Sequence, residues 1–80
     1  MLTIRLNGVL TRLAGTEVLS LDVPTQATVD EVMIQLGERY PALVPQLQRT
    51  ACAVGDELVP RSQRVRPGGE LILIPPVSGG

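Results

Sequence analysis

The chain has no histidine, no lysine, no phenylalanine and no tryptophan, and it holds one cysteine and one tyrosine in 80 residues. Without histidine, imidazole-based zinc ligation, acid/base work and nucleophile activation are closed to it. The single cysteine, Cys52, cannot close an internal disulfide. Together these absences argue against a self-contained enzyme. Tyr40 is the only aromatic residue although 44% of the chain is apolar, so the core has to be built from Leu, Val, Ile and Ala. All seven basic residues are arginines, spread along the chain at a net charge of −1 with no aromatic platform beside them, which argues against a nucleic acid partner. No apolar run approaches membrane-spanning length, and the start Met1-Leu2-Thr3-Ile4-Arg5 lacks the charged-then-apolar order of a signal peptide. A cytoplasmic chain with no membrane partner is expected.

Eighty residues make one domain near the lower size limit for folding without metals or disulfides. Leu2, Ile4 and Leu6 alternate with polar residues, as do Leu19, Leu21 and Val23, so the opening predicts two half-buried strands. A loop around Leu13-Ala14-Gly15 would join them, most simply as a hairpin. Thr28-Val29-Asp30-Glu31 has the form of a capping box and predicts a helix start. Val29, Val32, Met33, Leu36 and Tyr40 form its apolar stripe, which Pro41 ends. The proline-punctuated stretch from Pro41 to Leu47 predicts no more than a short turn or 3₁₀ segment. A third strand, about Thr50 to Val54, then turns at Gly55-Asp56 into a short strand, Glu57-Leu58-Val59, whose following Pro60 suits a sheet edge. Arg66-Pro67-Gly68-Gly69 is a second turn. The last strand, Leu71 to Ile74, is apolar at every position, which predicts a central place with burial on both faces. A single long helix covers only one face of a four- or five-stranded sheet, so part of the outer face beside Ile74 is expected to stay apolar and uncovered.

The sequence given ends in Pro75-Pro76-Val77-Ser78-Gly79-Gly80. Pro75 and Pro76 favour an extended backbone, and the six residues can span about 20 Å. A terminal Gly-Gly without side chains can thread a narrow channel and bring its carboxylate against a bound nucleotide phosphate. For Gly-Gly alone a frayed end is the plainer reading. Here an apolar strand runs directly into the prolines and ties the base of the tail to the core. The division expected is a domain over residues 1–74 and an extended flexible tail over 75–80.

The order strand, strand, helix, strand, short strand, strand with a Gly-Gly tail resembles the ubiquitin-like β-grasp fold, an α+β class. The sheet would be mixed, of four to five strands, with one main helix packed on one face. Three stretches make the chain similar to the bacterial sulfur carriers, and among them to the small subunit of molybdopterin synthase (MoaD-like). They are Leu10-Thr11-Arg12-Leu13-Ala14-Gly15, the turn Arg66-Pro67-Gly68-Gly69-Glu70-Leu71, and the tail Ile74-Pro75-Pro76-Val77-Ser78-Gly79-Gly80. The first strand lacks that family's phenylalanines, and Ala53-Val54-Gly55-Asp56 stands where the family often has Val-Asn-Gly-Glu. Asn7-Gly8 also resembles the thiazole-synthesis carriers (ThiS-like), which are usually shorter and lack Pro75-Pro76-Val77.

The resemblance implies that the chain is a non-catalytic subunit that binds no cofactor itself. An E1-like (MoeB-like) adenylating enzyme would use ATP to convert the Gly80 carboxylate to an acyl-adenylate, and a sulfur donor would displace AMP to leave a thiocarboxylate. The large synthase subunit (MoaE-like), in a heterotetramer of two small and two large subunits, would pass that sulfur to the pterin precursor. On this reading Gly80 reacts, Gly79 gives clearance, Pro75, Pro76, Val77 and Ser78 fill the partner's channel, and Ile74 docks. Other carriers serve thiazole, cysteine or transfer-RNA thiolation. A protein modifier joined to target lysines and a binding module with an idle tail also stay open. The lack of lysine removes the amines best able to capture an activated tail, although an arginine bias from a GC-rich genome is the plainer cause. Cys52, between Ala51 and Ala53 with no histidine or cationic cluster nearby in sequence, reads as a small buried apolar residue. Arg61, Arg64 and Arg66 read as a solvated edge or a rim contact for an acidic partner.

Overall fold

The computed structural model describes residues 1–76. Five strands, β1 (Leu2–Arg5), β2 (Val18–Leu21), β3 (Ala51–Val54), β4 (Glu57–Val59) and β5 (Glu70–Ile74), form one sheet in the order β2-β1-β5-β3-β4. The pairing of β1 with β5 is parallel and the other three are antiparallel. The longest helix, α2 (Val29–Arg39), lies on one face of this mixed sheet. There Val29, Val32, Met33 and Leu36 join Leu2, Ile4, Leu21, Leu71 and Leu73 in an aliphatic core.

The helix starts where the capping box places it. The Glu31 amide donates to Thr28 Oγ1 at 3.3 Å, and the Thr28 amide donates to Glu31 Oε1 at 3.0 Å. Two further donors of the first turn find partners outside the helix. The Val29 amide donates to the Gln63 carbonyl at 2.8 Å and the Asp30 amide to the Arg61 carbonyl at 2.9 Å. Helix ends leave such groups without internal partners, so the loop after β4 completes the cap. At the other end the chain breaks at Pro41 into a 3₁₀ turn (Pro41–Leu43) followed by one α-helical turn, α3 (Val44–Leu47). The expectation of a turn or 3₁₀ segment alone is therefore too small by that turn. Leu43 and Leu47 supply the reason, because both are buried and only a continued winding points both inward.

Three other expectations change. The connection from β1 to β2 is not a plain loop around Leu13-Ala14-Gly15 but a short helix, α1 (Val9–Ala14), which Gly15 ends in the left-handed region. Six residues are too few to show a helical period, and so short a helix persists only through tertiary packing, supplied by the fully buried Leu10. β5 is central, as its apolar run predicts, but only one of its faces is fully buried. Leu71 and Leu73 point to the core, Ile72 is half-buried and Ile74 is exposed. Arg61 is not part of a solvated edge. Its guanidinium donates to the Leu47 and Thr50 carbonyls and lies 3.9 Å from the Asp30 carboxylate, bracketing α3, β3 and α2. Arg64 and Arg66 are exposed.

Removing the Arg61 side chain leaves two part-buried carbonyls short of a donor, a loss of about 2 kcal/mol for charge-assisted bonds. Arg61→Ala is expected to lower Tm by roughly 8 °C or more, given about 4–8 °C per kcal/mol in a domain this small. Arg64→Ala and Arg66→Ala should stay within about 0.5 kcal/mol of the parent. Urea denaturation of the three variants checks the contrast.

Candidate functional site

The described residues that the sequence nominates, Ile74, Pro75 and Pro76, lie at the C-terminal end of β5. Because β5 sits between β1 and β3, Ile74 leaves the sheet from its centre, paired in register with Ala51 of β3. Ile74 is 40% exposed, Pro75 is half-buried and Pro76 is exposed. The expected functions of Val77, Ser78, Gly79 and Gly80 fall outside the described residues. Of the nominated residues, Ile74, Pro75 and Pro76 are thus placed together at the root of the tail.

The face of the sheet opposite α2 carries an apolar band. Registered partners across the five strands run Leu58, Ala53, Ile72, Arg5 and Val18, and the next row pairs Ala51 with Ile74. Leu58, at 70% exposure, is the barest large apolar side chain in this set. No described helix covers this side, since the helical residues of the core pack with the opposite face. Arg5 interrupts the band between Ile72 and Val18 and forms an ion pair with Glu70, 2.6 Å between Nε and Oε2. Both partners are about half exposed, so the pair adds little to the stability of the fold.

Asn7 and Gly8 also reach the root, a role that sequence reading alone missed. The Asn7 side-chain amide donates to the Leu73 carbonyl at 3.0 Å. Gly8 has φ of 56°, and a Cβ built there would lie 3.3 Å from Pro75 Cγ. The available signal was an Asn-Gly pair just after an alternating strand, but its contact lies 66 residues away in the chain.

Cys52 is buried on the core side, with Sγ 3.9 Å from Met33 Sδ. Burial pushes its thiol above the ordinary value of 9.0, and the nearby Arg61 charge offsets this only in part. A thiol so placed is protonated at neutral pH and has no nucleophilic character. Among the described residues, no group of three or more His, Cys, Asp or Glu side chains could hold a metal ion, and no helix is long and apolar enough to cross a membrane. What the site can offer is a surface and an exit for the chain.

The profile of the ThiS family matches residues 4–80. Among solved structures, SAMP1 from Haloferax volcanii shares 27% identity over 99% of this chain and 98% of its own, with a TM-score of 0.84. A Pyrococcus furiosus protein described as molybdopterin converting factor subunit 1 shares 17% identity over 95% of this chain and 97% of its own, at a TM-score of 0.83. The Amycolatopsis orientalis BexX/CysO complex contributes a chain with 22% identity, full coverage of both chains and a TM-score of 0.80. At these two lower identities the likeness shows the fold alone, which is the ubiquitin-like β-grasp. A search of curated proteins gave no significant match.

The buried thiol has a readable consequence. The folded state holds the Cys52 proton to higher pH than the unfolded chain does, so stability is unaffected below pH 9.0 and falls as pH rises from there through the folded value. Measured by urea denaturation at pH 7 and pH 10, the wild type should lose more stability between the two than Cys52→Ala, whose alanine cannot ionise. Equal losses would place the thiol in contact with water.

Proposed function

The chain belongs to the ThiS family, and on that premise we propose that it is a sulfur carrier, the small subunit of a molybdopterin synthase. The Gly80 carboxylate attacks the α-phosphate of ATP in an activating enzyme, and pyrophosphate leaves. A sulfur donor then attacks the acyl carbon and AMP departs, which leaves a C-terminal thiocarboxylate. In the large synthase subunit this sulfur passes to the pterin precursor, and two such transfers complete the dithiolene. The catalytic groups come from the partners; this chain supplies the docking face and the reach.

The observation that carries the reading is the continuity of the central strand with the tail. β5 is held by strands on both sides, and Ile74 stands exposed at the point of exit beside an uncovered apolar band. The neighbouring apolar side chains Leu58, Ala53, Ile72 and Ile74, with the Arg5–Glu70 pair beside them, have the composition of an interface core. A second reading keeps the chemistry and changes the acceptor. It is favoured by the match to the ThiS family, which points to thiazole formation as readily as to the pterin.

The carrier chemistry is tested by incubating the chain with ATP, an adenylating enzyme of this class and a sulfide source. Its intact mass should rise by about 16 Da as sulfur replaces oxygen at an activated acyl group. Deleting Gly80 withdraws the carboxylate by about 3.3 to 3.6 Å, a whole contact distance, and should abolish the gain with Tm unchanged. An unchanged wild-type mass with every such enzyme tried would sink the proposal.

Docking is tested separately. Ile74 points away from the core, so Ile74→Asp should keep the fold while a charge in the apolar band weakens binding to the large synthase subunit by roughly tenfold or more. Titration calorimetry reads the change. Sulfur loading without any binding of the wild type to that subunit would favour the second reading.

A further inference from the structure

We propose that Asn7 and Gly8 form a seat that fixes the direction in which the chain leaves the sheet, making them positioning residues for the tail; their effect on activation rests on the carrier reading above. The topology creates the opportunity. β1 runs parallel to β5, so the two strands finish at the same end of the sheet and the residues following β1 stand beside the root of the tail. The ladder between them is last in register at Arg5 and Ile72. One residue further on, the Leu6 amide faces β2, as alternation along the strand requires, and donates to the Glu17 carbonyl at 2.8 Å. The next residue to face β5 is Asn7, and it reaches the Leu73 carbonyl with its side-chain amide.

That bond does not rescue a buried asparagine. Asn7 is an exposed residue that water could satisfy, yet its amide reaches across to a strand 66 positions away. Gly8 supplies the second contact. Its bare backbone lies under the Pro75 ring, and the 3.3 Å between a built Cβ and Pro75 Cγ is tighter than ordinary packing. Pro75 is accordingly half-buried while its neighbours Ile74 and Pro76 are exposed. Because proline fixes its own φ, holding the Leu73 carbonyl and the Pro75 ring leaves only Ile74 between two fixed points. The exit direction of the chain is thereby set before any partner binds. Without the seat, only a fraction of the population would present the tail in the competent direction, and apparent affinity would fall by that fraction.

The test uses the full chain and two readouts. In NMR of the isolated wild type, the Gly8 Hα and Pro75 Hγ protons should show a cross-relaxation peak, and the Asn7 side-chain amide should exchange slowly. Asn7→Ala should weaken the peak with the core resonances unmoved. In adenylation by the activating enzyme, Asn7→Ala should raise KM about fivefold or more with kcat within about twofold, the signature of a reduced competent fraction. Gly8→Ala should raise KM further. Its control is the same substitution in a Pro75→Ala background, where the backbone strain at Gly8 (φ 56°, ψ −130°) remains but the ring that the methyl would meet is gone. An unchanged KM in Asn7→Ala after the peak is lost, or equal effects of Gly8→Ala with and without the Pro75 ring, would overturn the positioning role. A missing peak in the wild type would overturn the seat itself. If no activating enzyme adenylates the wild type, the carrier reading falls and the NMR result alone decides the seat.

Discussion

The parallel ladder between β1 and β5 is the constraint on which the rest of the molecule depends. It joins the first strand of the described chain to the last, so nearly the whole sequence closes into one loop before the centre of the sheet exists. Such closure costs chain entropy, which burial of Leu2, Ile4, Leu71 and Leu73 on the shared core face offsets. The same pairing decides where chemistry can occur. An antiparallel neighbour brings its start to the end of β5, as β3 does with Ala51; only the parallel neighbour brings its own finish there, and with it Asn7 and Gly8.

Economy in helices governs the other half of the design. One long helix seals one face, and α1, the 3₁₀ turn and α3 each add a buried leucine to that same core. Gly37 lets α3 come close, since a Cβ there would lie 3.0 Å from Val44 Cγ2. The opposite face carries Leu58, Ile72 and Ile74, which no described helix covers. In a domain of this size, sealing both faces would need a second helix of comparable length.

The charged groups divide in the same way. Arg61 is bound into the structure by two backbone carbonyls and Asp30, and its side chain stiffens the segment that also caps α2. Arg5 pairs with Glu70 on the open face. Cys52, the only thiol, is sealed among core atoms beside Met33, where desolvation disfavours the thiolate. The sulfur of the chain's single cysteine is thereby kept as a protonated thiol in the core.

Local chemistry in the sequence determined the elements whose signals lie within a few residues. The capping box at Thr28 and Glu31, the stripe from Val29 to Leu36 with its stop at Pro41, the Gly55-Asp56 turn and the period-two strands each carry their own cause. The apolar run at Leu71 to Ile74 likewise marked the centre of the sheet. Tertiary structure decided the rest, because the causes lie far apart in the chain. α1 exists through the packing of Leu10 and has no period of its own to read. Arg61 finds its partners 11 and 14 residues back, and Asn7 finds Leu73 66 residues on. The four apolar residues of β5 carry no alternation, so the open face beside Ile74 was expected from the count of helices and not from the strand's own pattern. The helix settled the faces by covering Leu71 and Leu73 and leaving Ile74 exposed.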